Sequence, residues 1–221
     1  MSTISPPEFE LTVEDLAARV GAVPLWRVRT DPVPGAATEE DVERIRRCED
    51  RICELIDGVL VEKAVSDKSA FLAVELATLL NAVIRPRRLG WVLGADGFVR
   101  LFGDRLRAPD VSFVRRNQRA DQRLLEQGYS DVAPALAVEV FSPGNTIAEL
   151  ERKRAEFFAA GTELFWIVYP EQEQIIVSTG PAEHRTLQAG DILTGGSVLP
   201  DFSLRVGDLF AAADLSDSQS E

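Results

Sequence analysis

Lysine is nearly missing from this chain. Of 24 basic residues only three are lysine (Lys63, Lys68 and Lys153), and the rest are arginine. Histidine occurs once, as His184, and cysteine twice, as Cys48 and Cys53. That inventory cannot build a Cys/His zinc set, and the two thiols read as reduced core or near-core groups of a cytoplasmic protein. No apolar run approaches the ~20 residues of a membrane span, so no membrane association is expected. Met1–Glu14 has neither the basic start nor the apolar stretch of a signal peptide. Positive charge is also short, with a net charge of −12. A nucleic-acid-binding surface ordinarily carries a basic excess. Any such surface here must be local, drawn from Arg85-Pro86-Arg87-Arg88, Arg115-Arg116 or Arg152-Lys153-Arg154.

What is present is enough for a full core. The chain has 221 residues, 45% of them hydrophobic and 27% charged, as in an ordinary soluble domain. Residues 1–50 read as a helical extension. Thr12 caps a short helix closed by Gly21, Pro24 to Gly35 is an extended connector, and Thr38 caps a second helix from Glu39 to about Arg47. Neither helix has enough apolar surface to stand alone, so each is expected to pack on the main domain or on a second copy of the chain. The main domain is expected over residues 51–212, followed by an acidic, disordered tail over 213–221.

Within the domain, Asp57-Gly58 between two apolar alternations predicts a hairpin with a type I′ turn. Ser66 or Asp67 caps a helix to about Val83. Trp91–Leu93, Phe98–Phe102 and Leu106–Val114 read as an antiparallel meander, and Arg115 to Ala133 as a helix with a loop. Ala135–Phe141 is a strand broken by Ser142-Pro143-Gly144-Asn145. Thr146 and Glu149 form a capping box for a helix to Ala160, with Gly161 beyond its end. Leu164–Tyr169 and Gln174–Ser178 are strands, and the remainder reads as short strands and turns. Helices and a mixed, mostly antiparallel sheet give an α/β class.

Four residues carry candidate chemistry. Glu139 interrupts Leu136-Ala137-Val138-Glu139-Val140-Phe141; a carboxylate there is costly to bury unless paired or bound to a cation, the alternative being an edge strand facing water. Asp110 follows Pro109, which sets an extended entry into the next strand, and a plain turn is its alternative. Glu54 shares strand parity with Ile52 and Ile56, on a face that is either buried or an exposed hairpin surface. Lys153 lies on the helix returning from the Glu139 strand, either as a solvated charge or back over the strand end. Ammonium is a compact charge that can sit beside a metal-bound water, which guanidinium cannot do. Converging acids with a lysine suit a hard divalent metal such as Mg²⁺, which takes carboxylate oxygens, waters and phosphate.

These pieces resemble a known family. Glu54-Leu55-Ile56-Asp57-Gly58, Pro109-Asp110-Val111, Val138-Glu139-Val140-Phe141-Ser142-Pro143-Gly144-Asn145-Thr146 and Lys153, then Gly161 and Trp166-Ile167-Val168, look like the Uma family of candidate restriction endonucleases within the PD-(D/E)XK nuclease superfamily. The resemblance covers roughly residues 50 to 210. It implies a restriction-endonuclease-like core, hydrolysis of nucleic-acid phosphodiesters, DNA above all, and Mg²⁺ or Mn²⁺ held by Asp110, Glu139 and the Val140 carbonyl. It further implies Lys153 as charge stabiliser, Glu54 as an additional acid, and Arg107 as a phosphate contact or the partner of an acid. A homodimer is expected, since the extension needs a surface and duplex cleavage favours paired sites. Two departures stand out. The superfamily's lysine, two positions after the glutamate, is Phe141 here. A histidine frequent at the start of the first long helix is replaced by Lys68-Ser69. The net charge keeps two other readings open: a non-catalytic interaction module of the same fold, and a hydrolase of small phosphodiesters.

Overall fold

The computed structural model describes residues 11–124 and 128–213. The expected acidic tail lies outside them, apart from residue 213. Five α-helices are described: α1 (Val13–Val20), α2 (Glu39–Glu49), α3 (Asp67–Arg87), α4 (Ile147–Ala159) and α5 (Val206–Ala211). The strands are β1 (Cys53–Ile56), β2 (Val59–Glu62), β3 (Gly90–Leu93), β4 (Val99–Arg100), β5 (Arg105–Arg107), β6 (Val111–Arg115), β7 (Leu136–Val140), β8 (Leu164–Tyr169), β9 (Gln174–Ser178), β10 (His184–Leu187), β11 (Ile192–Gly195) and β12 (Leu199–Arg205).

A six-stranded sheet has the order β10-β9-β8-β7-β6-β3, in which only β7 and β8 run parallel. A four-stranded antiparallel sheet has the order β2-β1-β5-β4, and β11 pairs with β12. The α/β class with mostly antiparallel sheets flanked by helices is as the sequence predicts. The β1–β2 hairpin turns at Asp57 and Gly58, both with positive φ, as a type I′ turn requires. Glycine is needed there on a second count, because a Cβ at Gly58 would approach the Gly35 carbonyl to 2.6 Å.

The expected meander is not what forms. The segment Leu106–Val114 is two strands in two sheets: β5 pairs with β1 and β4, and β6 pairs with β3 and β7. Pro109 is the physical reason. It has no N–H to give a ladder and restricts Ala108, so the chain leaves one sheet and enters the other at Ala108-Pro109-Asp110. The helix expected within 115–133 is only a 3-10 turn over Arg116–Gln118, with residues 125–127 outside the description. Helix α3 continues past Val83 through Pro86 to Arg87, and α5 is a helix where short strands and turns were expected.

Helix α3 packs Leu72, Leu76, Leu80 and Ile84 on the six-stranded sheet, in a cluster with Val111, Phe113, Leu136, Val138 and Val140. By length and composition it could cross a bilayer, with a mean hydropathy of 1.3, although no uninterrupted apolar run announces it. The first helices pack on the domain of the same chain. Val42 and Ile45 of α2 join Leu55, Leu60 and Leu106, and Val20 joins Ile56, Val59 and Val61. The connector between them is pinned rather than merely extended. It holds a 3-10 turn over Leu25–Arg27 and bridges Val28 to Val61, and the Arg29 N–H donates to the Leu60 carbonyl.

Candidate active site

The site forms where the chain changes sheets. In strand β7, alternate side chains go to opposite faces. Val138 and Val140 enter the α3 cluster, while Ala137 shares a cluster with Leu150 and Phe157 of α4. Glu139 has the parity of Ala137 and so faces α4. There Leu150, Lys153 and Phe157 are buried on one helical stripe, and Lys153 takes a position that an apolar residue would ordinarily fill. Its Nζ donates to both carboxylate oxygens of Glu139, at 3.2 Å each, and lies 3.1 Å from Glu54 Oε1. All three side chains are almost fully buried.

Asp110 falls opposite Glu139, one step beyond the Val111–Val138 pair of the β6–β7 ladder. Its Oδ2 accepts the Val140 N–H at 2.7 Å, and its Oδ1 accepts from Lys63 Nζ at 2.7 Å. Lys63, immediately after β2, also donates to the Ala108 carbonyl at 2.6 Å. Lys63 and Asp110 line an apolar groove of about 200 Å³ together with Ala70, Ala73, Val74 and Ala77 of α3. Ser142 Oγ donates to Ser69 Oγ at 2.7 Å, tying the end of β7 to the first turn of α3.

The structure brings Asp110, Glu139, Glu54 and Lys153 together. Arg107 is buried beside them and fully engaged: Nη1 donates to Glu54 at 2.9 Å, and Nε and Nη2 donate to Glu156 at 2.8 and 2.6 Å. Of the two roles offered for Arg107, the ion pair is the one its surroundings permit, since no face of the guanidinium is open to a phosphate. What the structure records for Val140 at the site is its N–H on Asp110, whereas its carbonyl was the expected ligand. Cys53 is buried and Cys48 exposed, and neither is in a disulfide. His184 is exposed on β10, remote from the site in the sheet order.

Sequence reasoning missed Lys63, Glu156 and the Arg27–Glu149 pair. Arg27 donates to both Glu149 oxygens, at 2.7 and 2.9 Å, and fastens the connector to the first turn of α4. A signal for Lys63 was available. In a chain with three lysines, the buried Lys153 and the half-buried Lys63 meet at this one place, and the third, Lys68, lies exposed near Glu171.

The two buried glutamates titrate in opposite directions. Burial alone would raise both. For Glu54 the opposing charges of Lys153, Arg107 and Lys63 win, and its carboxyl is held down to about 2. For Glu139 burial wins over Lys153, and the negative charge of Asp110 pushes the same way, so it rises to about 7. Burial would lower the Lys153 pKa, but Glu139, Glu54 and Glu149 raise it instead, which keeps the ammonium charged.

Among the described residues no three His, Cys, Asp or Glu side chains are grouped as a preformed metal cage. Two carboxylates of hard oxygen donors remain. That set fits a Mg²⁺-type ion, which binds through one or two carboxylates and takes its other ligands from water and phosphate. Asp110 and Glu139 would hold it, in exchange for the ammonium now on Asp110.

The fold is thus a two-sheet α/β core with acids gathered at the junction of the sheets and a buried lysine on the next helix. The family model for Uma2, described as "Putative restriction endonuclease", matches residues 39–207, and the chain belongs to that family. Among solved structures, the chain is similar to one from Anabaena variabilis described as "a putative nuclease belonging to DUF820". Identity is 19%, coverage is 73% of this chain and 91% of that one, and the TM-score is 0.66. That likeness is one of fold. No curated protein matches.

Proposed function

We propose that the protein hydrolyses phosphodiester bonds of nucleic acid, DNA in the first instance, with Mg²⁺ or Mn²⁺ bound by Asp110 and Glu139. The observation that carries this reading is the facing pair Asp110 and Glu139 with an ammonium on each carboxylate, Lys63 at 2.7 Å and Lys153 at 3.2 Å. Four charged groups gathered at a sheet switch contribute little to stability that apolar residues could not. The bound metal would lower the pKa of a water and polarise the phosphoryl oxygen. In this reaction water adds to phosphorus, the bond to the leaving sugar oxygen breaks, and negative charge grows on the phosphoryl oxygens. Lys153, enclosed between two glutamates, orients Glu139 and opposes the burial that favours its protonated form. Lys63, which lines the open groove, is the ammonium that can meet the growing charge. Glu54 anchors Lys153. For a duplex substrate the reading includes a homodimer, with one site for each strand.

Nicking of supercoiled plasmid in Mn²⁺ tests the reading, with Asp110→Ala purified identically. Metal-dependent nicking that disappears in the variant supports it. Equal nicking by both proteins sinks it. The net charge of −12 favours a second reading, a hydrolase of small phosphodiesters; turnover of such a substrate in place of plasmid would select it.

A further inference from the structure

The sequence holds two separate arginine clusters, and the fold joins them. Strand β3 pairs with β6 so that Gly90 lies opposite Arg115 and Trp91 opposite Val114, and the Leu89 carbonyl accepts the Arg116 N–H at 2.9 Å. A Cβ at Gly90 would collide with the Val114 carbonyl, so glycine is what permits the approach. Arg85, Arg87, Arg88 and Arg116 are exposed there. Arg87 pairs with Asp201 and Arg115 with Glu163. Among the described residues, Arg85, Arg88 and Arg116 have no ion pair. They line one concavity of about 300 Å³ with the half-buried Trp91 and Gly90. Three guanidiniums side by side repel one another, and among the described residues the nearby carboxylate of Asp201 is paired with Arg87.

The cluster is in line with the candidate active site. Ala70, Val74, Ala77, Asn81 and Arg85 recur along α3 at steps of three and four and so share one face, and Arg88 is the left-handed cap residue that ends the helix. The first three line the groove that also holds Lys63 and Asp110, together with Gly94 and Ala95 just after β3. Arg85 and Arg88 meet the beginning of β3 at Gly90 and Trp91. Groove and cluster therefore occupy one α3/β3 edge. At ~1.5 Å per residue the helix separates Ala70 from Arg88 by ~27 Å, or about eight nucleotide steps at ~3.4 Å.

We propose that Arg85, Arg88 and Arg116, with Trp91, form a docking surface for the phosphodiester backbone of nucleic acid, holding the strand about eight nucleotides from the bond at Asp110 and Glu139. Guanidinium forks match phosphate oxygens, and the indole offers a stacking face. The surface also reconciles the acidic chain with an anionic substrate, because the favourable field is local. It rests on the nuclease reading, and one experiment separates the two.

Fluorescence anisotropy with a labelled DNA duplex of about 20 base pairs, in EDTA, reads docking. Cleavage of the same duplex in Mn²⁺ reads chemistry. The triple variant Arg85→Ala, Arg88→Ala, Arg116→Ala is expected to bind roughly tenfold or more weakly, and to lower the slope of log affinity against log salt by about 2.7, at ~0.9 per lost contact. Its KM should rise on the long duplex with kcat unchanged, and should not change on one of about six base pairs, too short to reach the cluster. Asp110→Asn should bind as the wild type does and cleave nothing. The triple lysine variant, which keeps the charge, should retain most of the binding. If the alanine variant binds and cleaves like a wild type that is itself active, the docking surface is overturned and the nuclease reading stands. Cluster-dependent binding without cleavage in any metal supports the surface and overturns the nuclease reading. Equal loss in the lysine and alanine variants would show a structural role and overturn the proposal.

Discussion

Two neighbouring regions handle buried charge differently. In one, arginine joins elements: Arg27 fastens the N-terminal connector to Glu149 of α4, and Arg107 ties β5 to Glu54 and Glu156. Every guanidinium nitrogen recorded there donates to a fixed acceptor, in planar geometry that specifies where each element sits. In the other, two lysines face Asp110 and Glu139 with single, rotatable ammonium groups. There one carboxyl, Glu139, is raised to about 7. The contrast separates charges that locate the elements from the two charges that the proposed function sets beside a metal ion. A chain that otherwise chooses arginine has placed two of its three lysines there.

The largest effect should come from the arginine side. Arg107→Ala removes the guanidinium buried between Glu54 and Glu156, leaving Glu54 to Lys153 and Glu156 to Arg105 and Arg152, and should cost about 3 kcal/mol of unfolding free energy, read by denaturant titration. A loss under about 1 kcal/mol would mean that water or Lys153 takes over the pairing, and the contrast would weaken. Asp110→Ala should do the reverse: cleavage falls by roughly a hundredfold or more, while the melting temperature moves little. A collapse in stability instead would assign Asp110 to architecture.

Lys63→Met sharpens the comparison from the lysine side. It removes the ammonium that competes for Asp110, so Mn²⁺ should bind roughly tenfold more tightly, about the value of one charge-assisted hydrogen bond, while cleavage declines. Titration followed by the Mn²⁺ EPR signal would check this, and weaker metal binding would show that Lys63 holds Asp110 in its ligating position.

The glutamates predict the pH behaviour. Metal needs Glu139 ionised, and its carboxyl is raised by burial and by Asp110 to about 7. Mn²⁺ affinity should therefore climb as pH rises toward 7 and level off above it. Stability carries the opposite sign from this group. A folded pKa above the unfolded value favours the folded state at low pH, and that contribution is lost as pH rises through about 7. Glu54, held at about 2 against burial by Lys153, Arg107 and Lys63, contributes stability above its unfolded value that is lost as pH falls toward 2. A metal affinity flat between pH 5 and 8 would remove Glu139 from the ligand set. The smallest effect belongs to the surface. Arg46 and Asp96 are paired at 3.4 Å with both side chains substantially exposed, and Arg46→Ala should change stability by less than about 0.5 kcal/mol.

Local chemistry was read well from the chain. Thr12, Thr38, Ser66 and Thr146 all precede helices as caps, and Asp57-Gly58 turns the hairpin. Glu139 and Glu54 were visible as charges that break an apolar alternation, Asp110 by the Pro109 before it and the family resemblance, and Lys153 by the scarcity of lysine in the chain. Lys63 was not, since it follows a strand in a polar stretch with no period to break. The split of Leu106–Val114 was missed although Pro109 marks it, because a proline ends a ladder without saying which sheet the chain joins next.

By itself the sequence determined most of the helices and strands, and which charged residues would be expensive to bury; those follow from caps, turn residues and periodicities only a few positions long. Only the tertiary structure decided which charge meets which. Lys63 on Asp110, Arg107 on Glu156, and the two arginine clusters side by side at Gly90 are contacts between segments far apart in the chain. Their partners are selected by sheet order and register, which local preference does not encode.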